Sequence, residues 1–305
     1  NNTALTTLWC YLNQLTSLDV SNNAALNTLY CYANQLTSLD VSNNAALTTL
    51  YCYANQLTSL DVSNNTALTF LECSLNELTS LDVSNNTALT YLHCGYNQLT
   101  NLDVSNNDTL TTLYCYNNLL SSLDVKNNTT LTALHCYDNQ LTGLDISNNA
   151  ELTYLWCYDN QLTCLNVKNG NNQIIGIGQF RMFNNPNLTC IEVDNANYST
   201  ANWFYVDPQA SFSEDCNNSC SSTSTGITEN TSAFNIYPNP ATNYFVVEVE
   251  QPIQATLYNA HGKVLREKEI TATYTMEISN LANGIFFLKT TNKQGVVQTL
   301  KLLKQ

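Results

Sequence analysis

Cysteines stand at positions 10, 31, 52, 73, 94, 115, 136 and 157, each 21 residues after the last, with no insertion or deletion between them. So strict a period excludes an ordinary globular topology. Each copy is one small unit that can bury its apolar face only against the next copy. Around each cysteine the unit reads Leu-x-x-Leu-x-Cys-x-x-Asn-x-Leu-x-x-Leu-Asp-Val-Ser-Asn-Asn-x-x, as in Leu26 to Ala46. The second and third copies differ only where Asn27 faces Thr48 and Ala45 faces Thr66.

Within one copy, Leu26, Leu29 and Cys31 and then Leu36, Leu39 and Val41 point inward from opposite walls of a thin coil. Stacking coils at the ~4.8 Å strand spacing buries them, and each fully buried Leu contributes ~1.5–3 kcal/mol. Asn13, Asn34, Asn55, Asn76, Asn97, Asn118, Asn139 and Asn160 fall where the chain must turn. Asn suits such corners because it bonds nearby backbone and tolerates left-handed dihedrals. The pattern resembles the leucine-rich-repeat family over about residues 5–172, and specifically its nested bacterial subtype, since Leu36-x-x-Leu39-x-Val41-x-x-Asn44 repeats the motif. The resemblance implies a mainly β solenoid of 21-residue coils with little helix.

Residues 1–172 are thus read as a solenoid of about eight coils. The chain opens in mid-pattern with Asn1-Asn2-Thr3-Ala4, and since solenoids need terminal caps, a missing N-terminal part is expected. Residues 173–216, with Leu188-Thr-Cys190-Ile191, Trp203 and Phe212 to Cys216, resemble the closing segment of related repeat proteins and are read as the C-terminal cap. Residues 217–233 form a Ser/Thr-rich linker.

Charge separates the two parts. Residues 1–233 hold 3 Lys+Arg and 19 Asp+Glu, residues 234–305 hold 7 and 5. So acidic a first part repels phosphate backbones, which argues against nucleic acid as a partner. Only short apolar runs occur, so no membrane span is expected.

No catalytic or metal-binding constellation is found, and no cofactor is implied. The ladder cysteines occupy an inward position where thiols act as small hydrophobes. His93 and His135 precede Cys94 and Cys136, so they point to the opposite face. Asp19, Asp40, Asp61, Asp82, Asp103, Asp124 and Asp145 recur once per coil, without the clustered loop of a calcium site. Cys164, Cys190, Cys216 and Cys220 form an even set suited to disulfides. The resemblance to other caps implies Cys190–Cys216, while Cys164–Cys190 with Cys216–Cys220 stays open.

If Leu29 and Cys31 point inward, Tyr30 and Tyr32 point outward. That wall carries Trp9 and Tyr11, Tyr30 and Tyr32, Tyr51 and Tyr53, Tyr114 and Tyr116, Tyr137, and Trp156 and Tyr158. It is interrupted at Glu72/Ser74 and His93/Gly95. Tyr and Trp are enriched at binding surfaces, so these aromatics are the candidate ligand-binding residues, for a glycan or a protein.

Residues 234–305 change character, with short β-rich runs between turns that suggest an Ig-like sandwich. Tyr237-Pro238-Asn239-Pro240-Ala241-Thr242, then Leu257-Tyr-Asn-Ala-His-Gly262-Lys263-Val264, then Ile278-Ser-Asn-Leu-Ala-Asn-Gly284-Ile-Phe-Phe-Leu-Lys289, then a Lys-rich end with Lys301 and Lys304 follow in order. This series is similar to the type A sorting domain of the type IX secretion system of Bacteroidetes. The resemblance implies a translocon and a shuttle protein as partners, and a cell-surface or extracellular location beyond the outer membrane. The expected function is non-enzymatic binding or adhesion. The alternatives are a passive stalk displaying a missing N-terminal domain, or part of a secreted enzyme.

Overall fold

The computed structural model describes residues 2–217, 220, 234–237, 241–249, 252–259, 263–292 and 297–304. The chain divides into two compact units, Asn1–Thr223 and Ser224–Gln305, and each has its own hydrophobic core.

In the first unit eight coils carry a short strand whose central Leu is inward, and in a ninth strand Phe180 takes the place of that Leu. Thr7–Trp9, Thr28–Tyr30, Thr49–Tyr51, Phe70–Glu72, Tyr91–His93, Thr112–Tyr114, Ala133–His135, Tyr154–Trp156 and Phe180–Arg181 form one nine-stranded parallel sheet. Pairing is in register, Leu29 beside Leu50 and Tyr30 beside Tyr51. In-register stacking turns each repeated residue into a column. Leu29, Leu50, Leu71, Leu92, Leu113, Leu134 and Leu155 are fully buried, as are the ladder cysteines from Cys31 to Cys157. On the opposite wall Leu36 and Val41 and their repeats in the later coils are equally buried. There Gly143–Asp145, Cys164–Asn166, Cys190–Glu192 and Ser211–Ser213 form a second parallel sheet.

The corners differ from the expectation in one respect. The left-handed residue is not the repeated Asn but the one before it: Leu12, Ala33, Ala54, Leu75, Tyr96, Asn117, Asp138 and Asp159 all have φ between 51 and 54°. The reason lies in what the Asn side chain does. Asn118 Nδ2 donates to the carbonyls of Cys94, Cys115 and Tyr116 at 3.0, 3.1 and 3.3 Å, and its Oδ1 accepts from the Leu99 amide at 3.0 Å. A side chain aimed inward to tie two coils leaves the reversal of the backbone to its predecessor. A non-glycine residue there costs ~1–2 kcal/mol, offset by buried hydrogen bonds of ~0.5–1.5 kcal/mol each. A second buried ladder, Asn44, Asn65, Asn86, Asn107, Asn128 and Asn149, holds the other corner. Asn44 Nδ2, for example, donates to the carbonyls of Val20 and Asn23.

Residues 173–216, expected from the sequence to be a cap, add strands to both sheets and bury Phe180, Ile191 and Trp203 in the same core. Phe180–Arg181 pairs with Leu155–Trp156, and Cys190–Glu192 lies between Cys164–Asn166 and Ser211–Ser213. The helix Ala196–Asn202, capped by the Asn195 side chain, leads into buried Trp203. Trp203 stacks on Phe180 at 4.1 Å and donates its indole N–H to the Ile175 carbonyl. Cys190 is joined to Cys216 and Cys164 to Cys220, so the alternative pairing of Cys164 with Cys190 is not formed. Those two lie on adjacent strands of a parallel ladder, where side chains run alongside one another instead of converging. The eight ladder cysteines are free thiols.

In the second unit the described residues form seven strands in the two sheets of a β-sandwich. Phe234–Tyr237, Tyr244–Val249 and Tyr274–Glu277 form one antiparallel sheet; Ile253–Asn259, Val264–Ile270, Gly284–Asn292 and Val297–Lys304 form the other. Phe245, Val247 and Met276 from the first sheet and Ala255, Leu257 and Leu288 from the second share one core.

Candidate binding surface

The outward residues flanking each inward Leu and Cys line up across the coils as two columns of rings. One runs Trp9, Tyr30, Tyr51, Phe70, Tyr91, Tyr114, His135, Trp156; consecutive centroids are 4.1 to 5.9 Å apart. The other runs Tyr11, Tyr32, Tyr53, breaks at Ser74 and Gly95, and resumes as Tyr116, Tyr137, Tyr158, Phe183 at 4.3 to 4.7 Å. All eleven aromatics expected from the sequence stand on this wall. Phe70, Tyr91 and Phe183 extend it.

These three were missed although two carried a signal. Phe70 and Tyr91 precede Glu72 and His93 by two residues, so strand alternation puts them on the same face. Phe183 and Arg181 follow a longer coil, in which Phe180 pairs with Leu155, and the 21-residue ruler no longer locates them.

Parallel stacking changes what the wall offers. Tyr32 lies between Tyr11 and Tyr53 with planes 6 and 8° apart, and Tyr137 between Tyr116 and Tyr158 with planes 6 and 9° apart. Their faces are covered by each other, so a partner meets ring edges and phenol hydroxyls. Tyr51 departs from this order. It stands 79° from Tyr30 and 64° from Tyr53, which opens a cleft of about 250 Å³ lined by Trp9, Tyr11, Tyr30, Tyr32, Tyr51 and Tyr53. Burial, and after it Tyr30, Glu72 and Tyr32, hold the Tyr51 phenol above its ordinary range. Tyr53 is raised by burial, then by Tyr32 and Glu72. Both of these phenols are therefore neutral at physiological pH.

The interruption of the second column is a polar cluster. Glu72 and Ser74 are buried, 7 and 3% exposed. Glu72 Oε1 accepts from the Ser74 hydroxyl at 2.5 Å, and Oε2 lies 2.7 Å from His93 Nδ1. His93 Nε2 is in turn 2.9 Å from the Tyr116 hydroxyl. Gly95 makes room for this arrangement, because a Cβ there would meet His93 Nε2 and the Tyr116 ring at 3.0 Å. The buried carboxylate is thus hydrogen-bonded on both oxygens.

At the far end Arg181 extends the first column, its guanidinium 4.5 Å from the Trp156 ring centre and 5.3 Å from that of Tyr205. The recurrent aspartates are engaged within their own turns. Asp19 Oδ1 accepts from both the amide and the hydroxyl of Ser21, and Asp40, Asp61 and Asp82 accept from the amides of Ser42, Ser63 and Ser84. The serine hydroxyl first and its amide second lower these four carboxyls below the ordinary Asp range. Among the described residues no cluster of three or more His, Cys, Asp or Glu has the placement to hold a metal.

Of the expected sorting residues, Pro238, Asn239, Pro240 and Gly262 lie outside the described residues, as does most of the linker. Tyr237 ends the first strand of the sandwich and Lys301 lies within the last. The Lys263 amide donates to Asn259 Oδ1 at 2.9 Å. Gly284, with φ of 151°, opens the longest strand. Lys304 is buried, and its ammonium donates to the Leu281 carbonyl at 2.8 Å.

Residues 235–305 match the family described as secretion system C-terminal sorting domain. No curated protein matches the sequence. Similar solved structures include the functional domain of InlJ from Listeria monocytogenes, described as including a cysteine ladder. It is 24% identical, with 99% of this chain and 86% of that one covered and a TM-score of 0.47. An internalin, inlF, from the same organism is 24% identical over 71% of this chain and 62% of that one, with a TM-score of 0.53. A plant peptide hormone receptor, RGFR1, in complex with RGF2, is 19% identical over 63% of this chain and 36% of its own, with a TM-score of 0.51. This chain spans less than two thirds of either of the last two. With the 21-residue period, the internalin likeness shows a leucine-rich-repeat solenoid. The sorting domain marks the chain for type IX secretion to the cell surface or extracellular space. No helix among the described residues is long and apolar enough to cross a membrane.

Proposed function

We propose that this is a non-enzymatic binding protein, exported by way of its C-terminal domain, whose aromatic wall is the recognition surface for adhesion. One observation carries the reading: two columns of half-exposed rings on one face, cross-braced from coil to coil and mounted on a continuous parallel sheet. Stacked tyrosines are held with little rotamer freedom, so a partner that docks on them costs less ordering entropy. The polar tip and apolar body of each ring suit an interface that is wet on one side.

The experiment compares attachment of the purified chain to glycan and protein arrays with that of a variant carrying Tyr51→Ser, Tyr53→Ser, Tyr114→Ser and Tyr116→Ser. Circular dichroism controls for the fold. The variant is expected to lose array binding by at least tenfold. Undiminished binding by a folded variant would sink the reading.

A further inference from the structure

The cleft over the first three coils has a chemistry of its own, and any part it plays in binding rests on the wall being the recognition surface. Its six lining residues are all aromatic, and its volume of about 250 Å³ is below the ~300–1,000 Å³ usual for drug-sized ligands. A cleft of that size takes one side chain. Residues 1–125 contain nine Asp and Glu and no Lys or Arg, so the coils that bear the cleft are net negative, with the recurrent aspartates on the opposite wall. The buried Glu72 carboxylate acts electrostatically on both Tyr51 and Tyr53, at the lower end of the cleft. Ring faces carry negative quadrupole potential and attract a cation within about 6 Å, guanidinium more often than ammonium.

The same wall already holds such a cation at its other end, where Arg181 lies over Trp156 at 4.5 Å. A guanidinium there continues the column as a further flat member of the stack. No such group from this chain occupies the cleft among the described residues, and the sequence offers none before Lys126.

We propose that the cleft lined by Trp9, Tyr11, Tyr30, Tyr32, Tyr51 and Tyr53 is an aromatic cage for an arginine side chain of a basic partner protein. The acidic coils attract the partner's basic surface over a Debye length of ~8 Å at physiological salt, and the rings select the planar cation. A neutral sugar would gain neither term.

The test titrates the whole chain with a Gly-Arg repeat heptapeptide at 150 mM salt by calorimetry and by Trp9 fluorescence. Gly-Lys and Gly-Glu heptapeptides, cellohexaose and phosphatidylcholine vesicles serve as comparisons. The arginine peptide should bind saturably, several-fold tighter than the lysine peptide, and Tyr51→Ser with Tyr53→Ser should weaken it at least tenfold. A second variant, Tyr32→Ser, should weaken it in the same direction if the first is poorly folded. Absent saturable binding, or affinity unchanged in both variants, overturns the cage, the latter showing mere acidic-surface attraction. Tyrosine-dependent binding of the hexaose or the vesicles in place of the peptide also overturns it, while leaving the wall as the recognition surface. Loss of that surface as a whole shows instead as array binding that ignores all four serine substitutions.

Discussion

His135 lies face to face with Trp156, ring centroids 4.1 Å apart and planes within 3° of parallel. Tyr114 covers its other face at 4.4 Å, and its Nε2 is buried without a hydrogen-bond partner. Burial first, then the charges of His93 and Arg181, lower its pKa to about 4. Between that value and the ~6.5 of an unfolded histidine, the unfolded chain binds more protons than the folded one. The stability contributed by neutral His135 is therefore complete above about pH 6.5 and is lost as pH falls toward 4. The His135 ring signals should stay neutral at pH 5 by NMR. His135→Phe should shrink the drop in urea midpoint between pH 7 and pH 5. A titration near 6.5 in the folded protein would contradict the stacked, desolvated ring.

The corners allow a paired test. Asn118→Ala removes three donated bonds and leaves the Leu99 amide without its acceptor. It should lower stability by ~2–4 kcal/mol, since a buried unsatisfied group alone costs ~1–3 kcal/mol. Ala54→Gly relieves a left-handed alanine with φ of 53°. It should be neutral to stabilising by up to ~1 kcal/mol, the strain relieved less the extra entropy of an unfolded glycine. Urea unfolding checks both, and a destabilised Ala54→Gly would place the strain elsewhere.

Gly95→Ala should destabilise by ~1–3 kcal/mol as an overpacked site, because its Cβ would meet His93 Nε2 and the Tyr116 ring at 3.0 Å. The bond between His93 and Tyr116 is expected to break first, seen as a change in the Tyr116 ring signals by NMR. An alanine variant with wild-type stability and unchanged Tyr116 signals would show that the cluster is slack.

The seven buried ladder thiols, Cys31 to Cys157, should remain unreactive in the folded chain. Burial, then neighbouring thiols, raise Cys31 to about 12 and Cys52, Cys73, Cys94, Cys115 and Cys136 well above the ordinary thiol range. Thiolate is the reactive form. Alkylation and mass spectrometry should find at most the half-buried Cys10 labelled under native conditions, and all eight free thiols after unfolding without reductant. Four or fewer in the unfolded sample would mean that ladder thiols are oxidised.

Deleting residues 234–305 should abolish export and leave the repeats folded. The first unit has a core of its own, from Val20 to Trp203, and the removed residues contain the sorting domain. In the native bacterium the shortened chain should accumulate in the periplasm, with unchanged hydrogen-exchange protection at the inward leucines. Its arrival at the cell surface would refute a sorting role for this tail.

Sequence alone determined the period, the inward columns of Leu29 and Cys31, the outward face of Tyr30 and Tyr32, and the distinct character of residues 234–305. These follow from strand alternation and exact repetition, which are local and act within one coil. Tertiary structure decided the rest. Whether Tyr32 presents a face or an edge depends on Tyr11 and Tyr53, each 21 residues away. The left-handed turn fell to Ala33 because the Asn34 side chain is committed to carbonyls in two coils. The partner of Cys190 was set by which side chains converge at the closing end, 26 residues apart. The polar cluster of Glu72, His93 and Tyr116 joins three coils, and only stacking brings its hydrogen bonds within reach. Ring orientation and side-chain pairing depend on neighbours one coil away, and no local pattern records the angles at which those neighbours meet.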